Sequence, residues 1–107
     1  MKTFIYHLVP VRQDMLRDGP DPDEALIISE HFRYLKQLCD DGVVLTAGRT
    51  DTVDEHTFGV VILEAESESI ARDIMRKDPA TLHGIMHASL YPFRLALWSD
   101  TGPSGVE

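Results

Sequence analysis

The sequence contains a single cysteine, Cys39, which excludes an internal disulfide and any metal site built from several cysteines. It has no run of about 18 apolar residues, the length a membrane-spanning helix needs, and no signal-peptide core at its start. Basic residues are few, 10 against 18 acidic ones, and the formal net charge is −8, which disfavours nucleic acid or anionic lipid as a partner. These absences predict a soluble, cytoplasmic protein without a cofactor.

What the sequence does contain is the balance of an ordinary globular domain. Its 107 residues, 43% of them hydrophobic and 26% charged, suffice for one core and are too few for two. The sequence therefore predicts one domain over residues 1–98. A flexible tail over residues 99–107 is expected to follow, because this stretch is rich in glycine and proline.

Hydrophobic periodicity and turn residues predict an alternation of strands and helices. The predicted elements are strand 3–11, helix 21–41, strand 43–47, strand 57–65, helix 67–77 and strand 88–98, with a loop at 12–20 and a short turn within 79–85. Asp21, Pro22 and Glu24 are typical of a helix start, and Gly42 of a helix end. The apolar stripe of this long helix is predicted at Ile28, Phe32, Leu35 and Cys39, which would make Cys39 a core residue.

The order β-α-β-β-α-β predicts a ferredoxin-like α+β fold, a four-stranded antiparallel sheet of order 4-1-3-2 with two helices on one face. This order places the last strand at an edge, where Pro92 is tolerated because an edge strand can lack a donor. The other sheet face still carries large apolar side chains. The sequence therefore predicts a homodimer that pairs through this open face, a dimeric α+β barrel.

Two residues are candidates for acid/base chemistry, and each has an ordinary structural alternative. His31 lies at the margin of the helical stripe. It is either a half-buried surface histidine without a chemical role or a general acid/base. Asp78 precedes Pro79, where it either caps a short turn, worth about 1 kcal/mol, or orients a histidine. The spacing alone does not choose between these alternatives.

Two further residues are candidates for substrate contacts. His7 lies between Ile5 and Val9 in the first strand. It is either a hydrogen-bonded core histidine or, if it faces away from the helices, a residue of the dimer cavity. Arg49 ends the second strand, where it either forms a surface ion pair or holds a substrate carboxylate.

No metal site is predicted. His83 and His87 have the spacing of helical metal ligands, but Gly84 between them argues against a helix there.

Several short motifs occur in a characteristic order along residues 3–98: His31-Phe32-Arg33-Tyr34-Leu35, Leu45-Thr46-Ala47-Gly48, Phe58-Gly59, Asp78-Pro79 and Pro92-Phe93-Arg94. Together they resemble the YCII-related (YciI-like) family of small dimeric α+β-barrel proteins. The resemblance implies a ferredoxin-like dimer with a His–Asp pair in a cleft, in which the family's histidine matches His31 and its aspartate matches Asp78. The sequence departs from the family at Arg49, where many members have proline, and in its longer loop 12–20.

The predicted function is cofactor-independent proton transfer on a small organic acid or cyclic metabolite, by an isomerase, lyase or dehydrochlorinase. The resemblance implies this range, since one relative is a dehydrochlorinase and similar barrels include muconolactone isomerases. His31 is the expected base, Asp78 its orienting partner, and His7 and Arg49 the expected substrate contacts. The alternative is a non-catalytic dimeric module that binds a small ligand, because a fold by itself does not fix a function.

Overall fold

A computed structural model describes residues 1–106, which form four strands and four helices. The strands are β1 (Lys2–Pro10), β2 (Val44–Arg49), β3 (Gly59–Ala65) and β4 (Met86–Pro92). The helices are α1 (Asp14–Asp18), α2 (Pro22–Asp40), α3 (Glu68–Lys77) and α4 (Pro79–Leu82). Within residues 1–106, every helix is too short or too polar to cross a membrane. The predicted tail includes Glu107, which lies outside the described residues.

The four strands form one antiparallel sheet of order β2-β3-β1-β4. This is the predicted order, and the ferredoxin-like α+β fold is confirmed. β1 is central and pairs with β3 and β4, so that Tyr6 stands opposite both Val61 and Leu90. β4 is an edge strand that ends at Pro92, where the missing N–H of proline removes no hydrogen bond between inner strands.

The two faces of the sheet differ in what covers them. In β1, Phe4, Tyr6 and Leu8 are buried, whereas Ile5 and His7 between them are only partly buried. Because successive strand side chains point to opposite faces, Tyr6 lies on the face that the helices cover, where Ala71 and Met75 of α3 join its core cluster. We call the other side the open face; it carries Thr3, Ile5, His7, Val9, Val60, Ile62, Glu64, His87, Ser89 and Tyr91.

The start and end of α2 follow from local chemistry. Asp21 accepts a 2.8 Å hydrogen bond from the Glu24 backbone N–H, and the Glu24 side chain accepts one of 2.9 Å from the Asp21 backbone. This reciprocal capping box satisfies donors that a helix start leaves free. At the other end Gly42 adopts a φ of 78°, a left-handed conformation that glycine takes without strain. Both predicted boundaries of the helix are therefore confirmed to within a residue.

The predicted stripe of α2 is correct at Ile28 and Leu35 and wrong at Phe32 and Cys39. Phe32 and Cys39 are exposed rather than buried, so Cys39 is not a core residue. Consecutive residues of a helix are about 100° apart around its axis. The buried side of α2 includes the residue before Phe32 and the residue before Cys39. The residues partly buried along it are Ile27, Ile28, His31, Tyr34, Leu35 and Leu38. The buried side thus turns His31 toward the protein interior.

Other elements also differ from the prediction. The loop 12–20 contains the short helix α1, which buries Met15. Strand 57–65 begins at Gly59, and strand 88–98 is instead Met86–Pro92. The β1–β4 ladder ends where Pro92 lies opposite Phe4, and the Phe93 N–H donates to the Thr3 carbonyl at 3.0 Å.

Candidate active site

Asp78 lies at the junction between α3 and α4 and is completely buried, with 0% of its surface exposed. It ends α3 and begins α4, and its Oδ1 accepts a 3.0 Å hydrogen bond from the Ala80 backbone N–H. Pro79 follows at the first helical position, where a missing N–H costs nothing. The structural interpretation of Asp78 as a cap is therefore correct.

The same carboxylate also receives two side chains from distant parts of the chain. Nδ1 of His31 lies 2.5 Å from Asp78 Oδ1, and the Tyr6 hydroxyl donates a 2.8 Å hydrogen bond to Oδ2. With Ala80, three donors converge on one buried carboxylate and fix its orientation. A cap and a histidine partner are thus not alternatives at this position, because Asp78 has the geometry of both.

Three different elements bring these groups together. Tyr6 projects from the central strand into the helix-covered face, and His31 lies on the inner side of α2. α4 packs against α2, and Asp78 caps it, so the carboxylate is placed between the strand and the long helix. The site therefore depends on the packing of the whole helical layer over β1.

The geometry defines how the His31 ring can act. When Nδ1 donates to the carboxylate, the lone pair of a neutral ring is left on Nε2. Nε2 makes no hydrogen bond within residues 1–106 and is not among their buried, unpartnered polar atoms, so it reaches solvent. The side chain as a whole is 17% exposed. The ring thus has one anchored nitrogen and one accessible nitrogen that can accept a proton.

Two tyrosines near Asp78 are held in their neutral form. Burial, reinforced by the charge and the hydrogen bond of Asp78, raises the pKa of the Tyr6 phenol far above its ordinary range. Burial and the Asp78 charge also raise the pKa of Tyr34 to about 12. The Tyr34 hydroxyl donates to the Ile74 carbonyl at 2.8 Å. Both phenols therefore act as hydrogen-bond donors at neutral pH.

One polar group beside the site has unused hydrogen-bonding capacity. The Thr81 hydroxyl, one helical turn after Asp78, is buried and has no hydrogen-bond partner within the described part of the chain. Buried hydroxyls are normally paired, because an unpaired one costs free energy. The Thr81 hydroxyl therefore has hydrogen-bonding capacity that the described residues do not use.

His7 lies apart from the His31–Asp78 pair. It projects from β1 onto the open face, opposite in direction to Tyr6, as the dimer-cavity alternative requires. Its ring packs against Phe58 with 5.0 Å between the ring centroids. The sheet therefore separates His7 from the buried carboxylate.

Arg49 is also not in contact with the pair. It ends the edge strand β2 and is exposed, and its guanidinium donates to the Thr50 carbonyl at 3.3 Å. With Phe58 and Val60 it lines a cavity of about 300 Å³. A second cavity of about 610 Å³ lies where β1 begins and β4 ends. Neither of these two cavities includes His31 or Asp78, although the sequence predicts a cleft there.

Tyr6 is the residue that sequence analysis missed. The sequence pattern places Tyr6 only in an apolar strand, yet a tyrosine at the centre of a sheet brings a hydroxyl that needs a partner. That requirement is the signal by which it could have been found. No group of three or more histidine, cysteine, aspartate or glutamate side chains in residues 1–106 could hold a metal ion.

Comparison with known proteins agrees with this fold. The family model of the YCII-related domain matches residues 6–94 of the chain. None of the curated proteins compared with the chain matches it. Among solved structures, the chain is similar to 5-chloro-2-hydroxyhydroquinone dehydrochlorinase (TftG) from Burkholderia phenoliruptrix AC1100, in complex with 2,5-dihydroxybenzoquinone. The TM-score is 0.62 and the identity 21%, over 88% of this chain and 95% of the other.

Proposed function

The chain belongs to the YCII-related family, and we propose that it is a small-molecule enzyme in which His31 and Asp78 transfer a proton. The substrate class is a small organic acid or cyclic metabolite, and the reaction an isomerisation, a lyase reaction or a dehydrochlorination. One observation carries the proposal: Nδ1 of His31 lies 2.5 Å from a fully buried carboxylate, while Nε2 is left accessible.

In this mechanism Nε2 is the base. Asp78 holds the ring in the tautomer that carries its proton on Nδ1, and its charge stabilises the imidazolium that forms when Nε2 takes a second proton. Nε2 removes a proton from a carbon next to a carbonyl group, and the C–H electron pair moves toward that carbonyl or expels a leaving group such as chloride. The imidazolium then returns the proton to another carbon in an isomerisation, or to solvent in an elimination.

Tyr6 and Ala80 are positioning residues in this mechanism. Their hydrogen bonds fix both carboxylate oxygens, so that Asp78 cannot rotate away from His31. The solved structure similar to this chain is of a dehydrochlorinase with a small cyclic ligand, which supports the substrate class.

Pairing of two copies through the open face is part of the proposal. Ile5, Val9, Val60 and Ile62 are only partly buried on a face that has no helix over it. His7, which the sheet separates from His31, would contact ligand in a cavity closed by the second copy, and Arg49 would contact ligand from the edge strand β2.

The test is proton exchange rather than product formation, because the product is not known. A panel of small cyclic ketones, hydroxylated quinones and keto acids is incubated with the protein in D₂O, and C–H to C–D exchange is followed by NMR. We expect exchange of at least one compound that falls by about 10²-fold or more in His31→Ala and Asp78→Asn. His83→Ala is the matched control, because His83 is exposed and outside the site. Exchange that persists in His31→Ala would contradict the proposal.

A ligand-binding module without catalysis is the second candidate, and one observation favours it. The two cavities lie at strand ends away from His31, and the smaller one presents Arg49 beside Phe58. Such a module would bind an aromatic carboxylate there. Saturation-transfer NMR distinguishes the two candidates: binding that is lost in Arg49→Ala and unchanged in His31→Ala, without any proton exchange, would favour the module.

A further inference from the structure

Tyr34 joins α2 to the end of α3, beside the His31–Asp78 pair. Its hydroxyl donates a 2.8 Å hydrogen bond to the backbone carbonyl of Ile74. Within residues 1–106, this is the one side-chain hydrogen bond that links α2 to α3. The proton-transfer mechanism described above makes no use of it.

The Ile74 carbonyl can accept this bond because α3 ends here. In a helix that continued, the Asp78 N–H would donate to the Ile74 carbonyl. Pro79 disfavours a helical conformation at the residue before it, and Asp78 adopts a φ of −58° and a ψ of 124°. The Asp78 N–H donates instead to the Met75 carbonyl, at 3.3 Å. The Tyr34 hydroxyl thus replaces a backbone donor that α3 loses at its end.

Tyr34 and His31 hold α2 to this junction at two neighbouring points. They are three positions apart on α2, so they lie on the same side of the helix, separated by roughly 4.5 Å along its axis. Their partners, Ile74 and Asp78, are four positions apart at the end of α3. A single contact would leave α2 free to roll or slide, whereas two contacts fix its position over the junction.

The Tyr34 hydroxyl stays a donor throughout the pH range in which a histidine titrates. Burial and the Asp78 charge raise the pKa of Tyr34 to about 12, so the phenol keeps its proton. That proton is directed at the Ile74 carbonyl, which leaves none to offer a substrate. The role that remains for the hydroxyl is to hold the backbone in place.

We propose that Tyr34 is a positioning residue, which holds Nδ1 of His31 against Asp78 by tying α2 to the end of α3. The inference rests on the proposed function for its effect on catalysis, and it adds a residue that acts on the pair without touching substrate. Loss of the hydroxyl lets α2 move relative to the junction and weakens the contact between ring and carboxylate. The proton of the neutral ring is then no longer held on Nδ1.

The ring nitrogens of His31 report this change directly. A nitrogen that carries a proton and one that carries a lone pair differ in ¹⁵N chemical shift, so ¹H–¹⁵N spectra identify the tautomer of a neutral ring. We expect the neutral ring of the wild type to carry its proton on Nδ1. Tyr34→Phe keeps the aromatic ring and removes the hydroxyl, and it should lower the ratio of the Nδ1–H to the Nε2–H tautomer by about threefold or more.

Leu38→Ala is the matched control. Leu38 lies on the same helix and packs against the core, but its side chain forms no hydrogen bond. Its truncation therefore loosens α2 without removing the link to α3, and it should leave the His31 tautomer as in the wild type. Circular dichroism verifies that each variant is folded.

The proton-exchange assay measures the effect on catalysis. Tyr34→Phe should lower the maximal exchange rate about tenfold, because a small misplacement of a catalytic group is costly. The concentration of compound that gives half-maximal exchange should stay the same, since Tyr34 does not touch the compound. Leu38→Ala should change neither quantity.

The outcomes separate this inference from the proposed function. A His31 tautomer that is the same in Tyr34→Phe and wild type overturns the inference, while the exchange assay on His31→Ala still tests proton transfer. An equal tautomer shift in Leu38→Ala also overturns it, because general loosening of α2 would then account for the effect. A tautomer shift confined to Tyr34→Phe, in a protein that exchanges no compound, supports the positioning and contradicts the proposed function.

Discussion

The hydroxyl of Tyr6 donates a 2.8 Å hydrogen bond to Oδ2 of Asp78, which lies 72 residues later in the chain. Both residues are completely buried. The bond ties the central strand to the junction between α3 and α4, and it leaves the other carboxylate oxygen to His31 and Ala80. A strand, a long helix and a helix junction thus share one carboxylate.

Tyr6→Phe should lower the free energy of unfolding by about 1.5–3 kcal/mol, the usual value of a hydrogen bond to a charged group. The ring stays in place, so packing changes little, and the loss isolates the hydroxyl. Urea unfolding followed by far-UV circular dichroism measures it. A variant as stable as the wild type would mean that the carboxylate gains nothing from this donor.

Stability should also fall in alkaline solution, and Tyr6 should account for part of the loss. An unfolded tyrosine has a pKa of about 10, whereas the pKa of Tyr6 in the folded protein is raised by burial and by Asp78. The folded state therefore keeps a proton that the unfolded state loses, so the free energy of unfolding is constant below pH of about 10 and decreases above it. Tyr34, whose pKa is raised to about 12, adds to the decrease between these values.

Unfolding measured from pH 8 to pH 12, in wild type, Tyr6→Phe and Tyr34→Phe, checks this prediction. Each variant should show a shallower decrease than the wild type. Parallel curves for all three proteins would contradict it.

In acid, Glu24 should be a principal source of pH-dependent stability. The hydrogen bonds of Arg12, followed by those of Asp21, lower the pKa of Glu24 to about 2. Because this value lies below that of an unfolded glutamate, the contribution is fully present above pH of about 4.5 and is lost as the pH falls toward 2. Glu24→Gln should therefore flatten the acid limb of the stability curve.

Glutamine is a suitable replacement because it can still complete the capping box at this position. Asp40→Asn is the matched control, since Asp40 pairs with Lys36 at 3.2 Å but on an exposed surface. An acid limb that is the same in Glu24→Gln and wild type would contradict the prediction.

Cys39→Ser should change the free energy of unfolding by less than about 0.5 kcal/mol, because the residue is exposed. The neighbouring Leu38→Ala should cost about 1–3 kcal/mol, because Leu38 packs against the core. Thermal or urea unfolding of the two variants compares them directly. A large loss of unfolding free energy in Cys39→Ser would contradict this prediction and indicate that Cys39 is a core residue.

Much of this architecture could be predicted from residue patterns. Pro92 required an edge strand, the apolar run of β1 required a central one, and Asp21, Pro22, Glu24 and Gly42 bounded α2. These signals are local, since each depends on the backbone geometry of a few neighbouring residues.

What could not be predicted depends on contacts between distant segments. Two of the four stripe residues predicted in α2, Phe32 and Cys39, are exposed, and their side chains are as apolar as those that face the core. The end of β4 was missed because it depends on the pairing register with β1. The role of Tyr6 was missed because its partner lies 72 positions away.

Asp78 Oδ1 has two roles, since it pairs with His31 Nδ1 and also caps α4 by accepting from the Ala80 N–H. A relative without the proposed catalysis would still need the cap, so an aspartate followed by proline would persist in it for reasons of folding alone. The His31 side chain caps no helix, so folding alone would not require a histidine at this position. Among related sequences, the histidine rather than the aspartate should therefore mark which proteins have kept an activity.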